Sequence, residues 1–402
     1  MKTQEKSFSF EMIISWLFLV CISILAINQI VSETRIFNWP NYEIYRTFMI
    51  AAYSLGVLMV FLHLLQGDVS VRNINFTILI VMSFIFISNI LNNVSFDDFF
   101  TSTCWAIAFM AGYCFERHGV FRRLFKLRVL IFIIITIFAF LSMHDNFSRE
   151  HGTTNIIGVN YIFYFGFPLF LWIVSKSGTK MEWILSAIFV VAVIMSFKRT
   201  SFIAIVLALV LYFFFKYACR NSIKMQMVFV FTIIAFILLA NFMNNYTDGR
   251  LFERFSDIED TGGNGRLDIW EATIAAFNKA PFGNKIFGSG FNGVIRSSYV
   301  RQSAHNDFLE ILFDYGILAL VLYAYIVFNI LAQAIRSRKT NPQLFPLFIA
   351  VFVMFMVFSS FSHVILYAYV AFPIFYLLGG LYAISLNDGE GRIKNGSFSC
   401  LQ

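Results

Sequence analysis

The polar stretch Arg301-Gln302-Ser303-Ala304-His305-Asn306-Asp307 runs into the apolar segment Phe308-Leu309-Glu310-Ile311-Leu312-Phe313-Asp314-Tyr315-Gly316. A histidine, an asparagine and several carboxylates therefore gather where a loop enters a hydrocarbon-seeking helix. Two other places carry comparable chemistry: the pair Lys198-Arg199, set between two apolar runs, and Arg266, which follows the flexible Thr261-Gly-Gly-Asn-Gly265. Two arginines and a neutral histidine suit transfer from a lipid diphosphate. Guanidinium groups hold phosphate oxygens in bidentate fashion and stabilise charge developing on a leaving diphosphate. A histidine within hydrogen-bond reach of a hydroxyl can take its proton as that oxygen attacks. Other chemistries lack their residues: there is no nucleophile elbow with a Ser-His-Asp set, no Walker loop, no HExxH and no metal-ligand spacing. Phe287-Gly-Ser-Gly-Phe-Asn-Gly293 is too short and too bare of context for a dinucleotide fingerprint, so neither a cofactor nor a metal is expected.

The elements that must position these groups are membrane spans. Hydrophobic residues make up 59% of the 402 residues against 13% charged, with 52 Phe, and the mean hydropathy is +0.73. A soluble domain needs far more charge to cover its surface, so an all-α polytopic membrane protein is expected. The formal charge of +7 follows from basic cytoplasmic loops and does not call for nucleic acid. Cys21, Cys104, Cys114, Cys219 and Cys400 show no CxxC spacing, and buried free thiols are the expectation.

About twelve apolar runs are long enough to cross a hydrocarbon core of about 30 Å. They lie near 11–31, 46–66, 75–92, 99–115, 128–143, 157–175, 181–197, 201–218, 225–243, 308–333, 344–361 and 364–386. The first follows Lys2 and Lys6 and lacks a cleavage pattern, so it reads as a span and not as a signal peptide. With the N-terminus inside, the inner loops collect Arg72, then Arg117, Arg122, Arg123, Lys126 and Arg128, then Lys176 and Lys180, then Lys216, Arg220 and Lys224, then Arg336, Arg338 and Lys339. That positive-inside series places both termini in the cytoplasm, which requires an even number of spans and favours twelve over eleven. The expected organisation is spans 1–9 over 1–243, a large outside loop over 244–304, spans 10–12 over 305–387 and a cytoplasmic tail over 388–402.

Arg266 to Phe277 reads as an amphipathic helix, with Leu267, Trp270, Ile274 and Phe277 toward the membrane or the bundle and Pro281 ending it. Each polar candidate also has a plainer structural role open to it. Lys198-Arg199 also reads as a snorkelling pair anchoring a helix end. Against that stands its position in a tight turn on the unfavourable, outward side, where an ionisable residue points to function. Arg266 opposes the dipole of the helix it begins, which calls for an anionic partner, either a ligand or a neighbour such as Glu259, Asp260 or Asp268. His363, flanked by Ser359, Ser360 and Ser362 at the turn between the last two spans, is a second-rank candidate with helix capping as its alternative.

Ser303-Ala304-His305-Asn306, nine residues, then Gly316-Ile317-Leu318-Ala319 resembles the His-Asn/Ser/Gln, nine residues, Gly-x-x-Gly/Thr/Tyr signature of the O-antigen polymerase and O-antigen ligase superfamily. Ala319 departs from the usual Gly, Thr or Tyr but stays small. Ser196-Phe197-Lys198-Arg199-Thr200-Ser201 is similar to that family's arginine-containing turn, and Gly265-Arg266-Leu267-Asp268-Ile269-Trp270 to its arginine at the start of a periplasmic helix. The resemblance spans roughly 196–320. It implies a GT-C-like glycosyltransferase of the bacterial inner membrane with its active site facing the periplasm. In it His305 is the catalytic base, while Arg199, Arg266 and Lys198 bind the diphosphate and Asn306, Asp307, Arg301 and His363 support them. The implied partners are undecaprenyl-diphosphate-linked oligosaccharide as donor and acceptor, the lipid bilayer, and a chain-length regulator and flippase of the same pathway.

The Ser-Ala-His-Asn-Asp-Phe-Leu sequence and the Phe287-Gly-Ser-Gly-Phe-Asn turn look more like polymerases, which move a growing chain onto the next lipid-linked repeat unit. A ligase, moving the finished chain to the lipid A core, shares the motifs. A lipid-linked oligosaccharide flippase would also bind the diphosphate through arginines, but it should show internal repeats and a charged central cavity, which this sequence lacks. A scaffold without chemistry leaves Arg199 unexplained.

Overall fold

The computed structural model describes residues 2–34, 41–65, 73–117, 199–218, 223–246, 265–297 and 300–395, with isolated positions at 166, 167, 171, 184 and 249. Among the described residues every regular element is helical: α1 (Lys2–Thr34), α2 (Asn41–Leu65), α3 (Asn73–Leu91), α4 (Phe96–Arg117), α5 (Arg199–Phe213), α6 (Ile223–Tyr246), α7 (Arg266–Lys279), α8 (Phe282–Phe287), α9 (Gly293–Arg296), α10 (Asp307–Thr340), α11 (Phe345–Phe361) and α12 (Ala368–Asn395). Among the described residues, five helices are long and apolar enough to cross a membrane: Phe10–Gln29, Tyr42–Leu65, Ile74–Leu91, Asp307–Thr340 and Ala368–Leu386. Thr200–Lys216 and Phe345–Phe361 are shorter apolar helices at two further expected runs. The chain is an all-α membrane protein. The runs expected at 128–143, 157–175 and 181–197 lie outside the described residues, apart from the isolated positions.

In hydrocarbon, helices gain little from burying apolar surface against one another, so close backbone approach and ring packing must hold them together. α4 and α12 meet through glycines on both sides. A Cβ at Gly112 would collide with the Tyr376 carbonyl, and one at Gly379 with the Phe109 carbonyl. Aromatic rings fill the rest of this seam. Trp105 meets Tyr323 edge-on at 5.4 Å and Phe375 at the same centroid distance. Phe18 contacts Phe115, Phe372 and Tyr376. Elsewhere α1 packs on α2, α2 on α4, α3 on α10 and α5 on α11, while α7, α8 and α9 lean on α10.

The expected continuous span at 308–333 is interrupted. Gly316 leaves helical geometry at φ 85°, ψ 175°, so 307–315 is a separate short helix and 317–340 a long one. At 1.5 Å per residue, 317–340 is about 36 Å long, which alone crosses the hydrocarbon core. Residues 307–315 are then left for the membrane boundary, where polar side chains can be accommodated. Replacing Gly112 with Val should push α4 away from the Tyr376 carbonyl; we expect a loss on the order of 1–3 kcal/mol, read as a lowered Tm of the detergent-solubilised protein.

Candidate functional site

The candidate site is organised by 307–315. Asp307, Glu310 and Asp314 recur at intervals of three and four, so they lie along one face of this short helix, and all three are buried. Each carboxylate accepts a backbone N–H from a different segment of the chain. Asp307 accepts from Val364 at 3.1 Å, reaches Ile365 N at 3.5 Å and takes the Ser359 hydroxyl at 2.6 Å. Glu310 accepts from Ala304 N, beside His305. Asp314 accepts from Val294 N at 3.2 Å. Asn306 caps the helix by accepting from Phe308 N and Leu309 N, and its amide donates to the Ser360 carbonyl at 3.2 Å.

Far from bearing only on a ligand, Asn306 and Asp307 thus fasten the 360–365 turn to the start of α10. That turn carries His363, which is buried at 6% exposure. His363 and His305 lie ring against ring, centroids 4.3 Å apart at 33°. Nε2 of His363 is 2.9 Å from the Ser303 hydroxyl, and the Tyr367 ring stands edge-on to His363 at 5.8 Å. His305 has φ 51° and Arg301 φ 54°, both in the left-handed region that non-glycine residues rarely occupy. Such a conformation costs about 1–3 kcal/mol and persists only where surrounding contacts over-determine it. The Glu310 bond to Ala304 N on one side and the Asn306 cap on the other supply those contacts at His305.

The other two motif segments reach the same turn. α5 begins at Arg199, of which only the backbone is described, and the Thr200 hydroxyl stands 3.5 Å from the Phe361 carbonyl oxygen. Lys198 lies outside the described residues. Arg266 opens α7 after Gly265, which sits at φ 73° with no side-chain cap. One turn on, the Trp270 indole donates to the Ala304 carbonyl at 2.7 Å, and its ring faces Phe361 at 6.2 Å. The Ala304-His305 segment, the start of α5 and the first turns of α7 therefore surround Phe361-Ser362-His363. Arg301 is exposed on the loop before Ser303. α7 turns Trp270, Thr273, Ala276 and Phe277 inward, while Leu267 and Ile274, expected on the same face, stay uncovered by protein. The inward stripe follows α7's contact with α10 and the 303–305 loop.

Several residues have structural roles that the sequence did not show. Gly316 and Gly288 interlock: a Cβ at either would strike the backbone of Ile286 or of Asp314. The break at Gly316 leaves carbonyls that the glycine turn satisfies, Ser289 N donating to Phe313 O at 3.0 Å and Gly290 N to Asp314 O at 2.9 Å. The end of α3 joins in, with the Ser88 hydroxyl donating to Asp314 O at 2.7 Å and Asn89 accepting from Phe291 N at 2.9 Å. The sequence marked the carboxylates only as a group near His305, although their spacing of three and four is there to read; the Ser88 and Asn89 contacts, some two hundred residues away in sequence, had no local signal. Among the described residues no group of three or more His, Cys, Asp or Glu side chains is placed to hold a metal ion.

Residues 184–324, about a third of the chain, match the family described as O-Antigen ligase. The matched region contains Lys198-Arg199, Arg266, His305 and Gly316, and it supports the polymerase and ligase superfamily as a whole. No curated protein matches the chain.

Substituting Asp307 by Ala removes the acceptor of Val364 N and of the Ser359 hydroxyl in a buried setting. We expect a loss on the order of 3 kcal/mol, and faster cleavage of the 360–367 turn in limited proteolysis, with Asp307→Asn intermediate.

Proposed function

We propose that this protein is an O-antigen polymerase, a glycosyltransferase moving a growing glycan from undecaprenyl diphosphate onto the next lipid-linked repeat unit at the periplasmic face of the bacterial inner membrane. The observation that carries this reading is the meeting of the three motif segments around the 360–363 turn, through Thr200 to Phe361, Trp270 to Ala304 and His305 to His363. Support for the transferase class comes from the match over 184–324.

In the proposed reaction, His305 takes the proton of an acceptor hydroxyl while that oxygen attacks the donor's anomeric carbon. The bond from that carbon to the diphosphate oxygen breaks, and its electron pair leaves with undecaprenyl diphosphate. Arg199 and Arg266 neutralise the developing charge, with Lys198 beside them, so the transfer runs without a metal and inverts the anomeric centre. The proton on His305 then passes to water. His363 acts as a positioning residue: its ring lies against His305, its Nε2 is tied to Ser303, and Asn306 and Asp307 hold its turn. A neutral imidazole beside a transient imidazolium stabilises that cation, whereas two cationic rings at this distance would repel each other.

The ligase reading is favoured by the description of the matched family, and one gel of a deletion strain separates the two. Loss of a polymerase leaves lipid A core capped with a single repeat unit. Loss of a ligase leaves bare core and chains stranded on the carrier lipid, and that result would overturn the polymerase assignment.

His305→Ala should abolish long-chain polysaccharide with protein still in the membrane, and Arg199→Ala or Arg266→Ala should reduce it nearly as far. Normal chain lengths in the Arg199→Ala strain would remove the donor site proposed here. His363→Ala should slow elongation by about 10- to 100-fold, less than the roughly 100- to 10,000-fold that a general base itself contributes, and His363→Asn should recover part of it by keeping a hydrogen-bonding partner for Ser303.

A further inference from the structure

A cavity of about 420 Å³ opens between the end of α7, α8, α9 and the far end of 307–315. Its volume lies within the range of small-ligand sites. The polar lining comes from Lys279, Asn284, Ser289, Arg296 and Ser297, over an apolar floor that includes Phe313. Two of these side chains are cationic and no carboxylate is among the lining residues. Asp314 lies just behind the lining at Gly293, where its carboxylate accepts from Val294 N.

The walls are fixed by backbone contacts. Ser289 N is bound to the Phe313 carbonyl at 3.0 Å, and the Ser289 hydroxyl meets the Asn284 amide at 3.3 Å. Nη2 of Arg296 donates to the Ser289 carbonyl at 2.7 Å, which holds the guanidinium at the cavity edge. Gly293 lies in the lining, and a Cβ there would meet Asp314 Oδ1 and the Ser289 side chain. Hydroxyl and amide groups that can trade hydrogen bonds with sugar hydroxyls therefore sit beside two positive charges.

The cavity's position relates it to the transfer site. Phe313 is six residues from Asp307 along the same short helix, an axial distance of about 9 Å. The cavity and the His305 loop thus flank the same short helix.

We propose that this cavity is a glycan subsite that receives a sugar residue carrying a carboxylate or phosphate group, next to the unit being transferred. Lys279 and Arg296 bind the anionic group, and Asn284, Ser289 and Ser297 bind its hydroxyls. The proposal deepens the glycan-transfer reading and rests on it for the identity of the ligand as a glycan.

The test uses the full-length protein in phosphatidylcholine nanodiscs, titrated with trigalacturonate and, separately, with maltotriose, a neutral chain of the same length. Trigalacturonate should bind the wild type more tightly than maltotriose. The Lys279→Gln/Arg296→Gln double variant, both of whose altered side chains are exposed, should weaken trigalacturonate binding by about tenfold or more while the protein stays folded, with only the small fall in Tm expected from losing the Arg296–Ser289 bond. His305→Ala should bind it as the wild type does. Equal binding of the two sugars, no binding of either, or an unaffected double variant would overturn the subsite. Two further arms distinguish the source of the anion. Displacement of trigalacturonate by phosphatidylglycerol in the disc, or by inorganic phosphate at equal concentration, would assign the cavity to a lipid headgroup or to free phosphate and overturn the glycan subsite. Failure of the transfer reading shows separately, as long chains made by the His305→Ala strain.

Discussion

Three carboxylates on one face of a nine-residue helix hold the surroundings of His305 in place. Asp307, Glu310 and Asp314 are each buried, and each accepts a backbone N–H from a different segment, the 362–367 turn, the 303–305 loop and α9. A buried acceptor left without a donor costs about as much as a lost hydrogen bond, and more when the group is charged. Each segment is therefore tied to the helix by the same requirement that keeps the acid buried. The left-handed backbone at His305, the turn carrying His363 and the glycine turn beside the cavity are all attached to this one helix.

Much of the membrane architecture was legible because hydrocarbon imposes simple requirements. Five expected runs recur as helices long and apolar enough to cross, and two more as shorter apolar helices. Near 308–333 the sequence pattern suggested one continuous span, since apolar residues flank Gly316 on both sides. A glycine within an apolar helix carries no signal for a break. What makes Gly316 a break is the Ile286 backbone, and that neighbour comes from a segment thirty residues away.

The site was legible in its parts more than in its construction. His305, Asn306 and Asp307 stood out because polar groups at the start of an apolar helix are conspicuous, but Asn306 and Asp307 serve first to cap that helix and fix a second turn. His363 was marked by its position between spans; its ring contact with His305 follows from tertiary folding alone. On α7, helical spacing grouped Trp270 with Leu267 and Ile274 in one stripe toward the membrane or the bundle, because periodicity finds a stripe without fixing which of its residues turn inward. Trp270 is drawn inward by a hydrogen bond to Ala304, a partner that helical periodicity does not represent.

The short helix also makes the chain intolerant of changes in length. Each residue added or removed between Asn306 and Gly316 rotates everything beyond it by about 100° and shifts it by about 1.5 Å. A single insertion would swing Glu310 or Asp314 away from its partner segment and move Gly316 off the Ile286 backbone, the one place where its lack of a side chain is required. Side chains within 307–315 can be exchanged one at a time at graded cost, but the number of residues cannot change. In this segment the geometry demands the spacing itself, ahead of most of the residues that fill it.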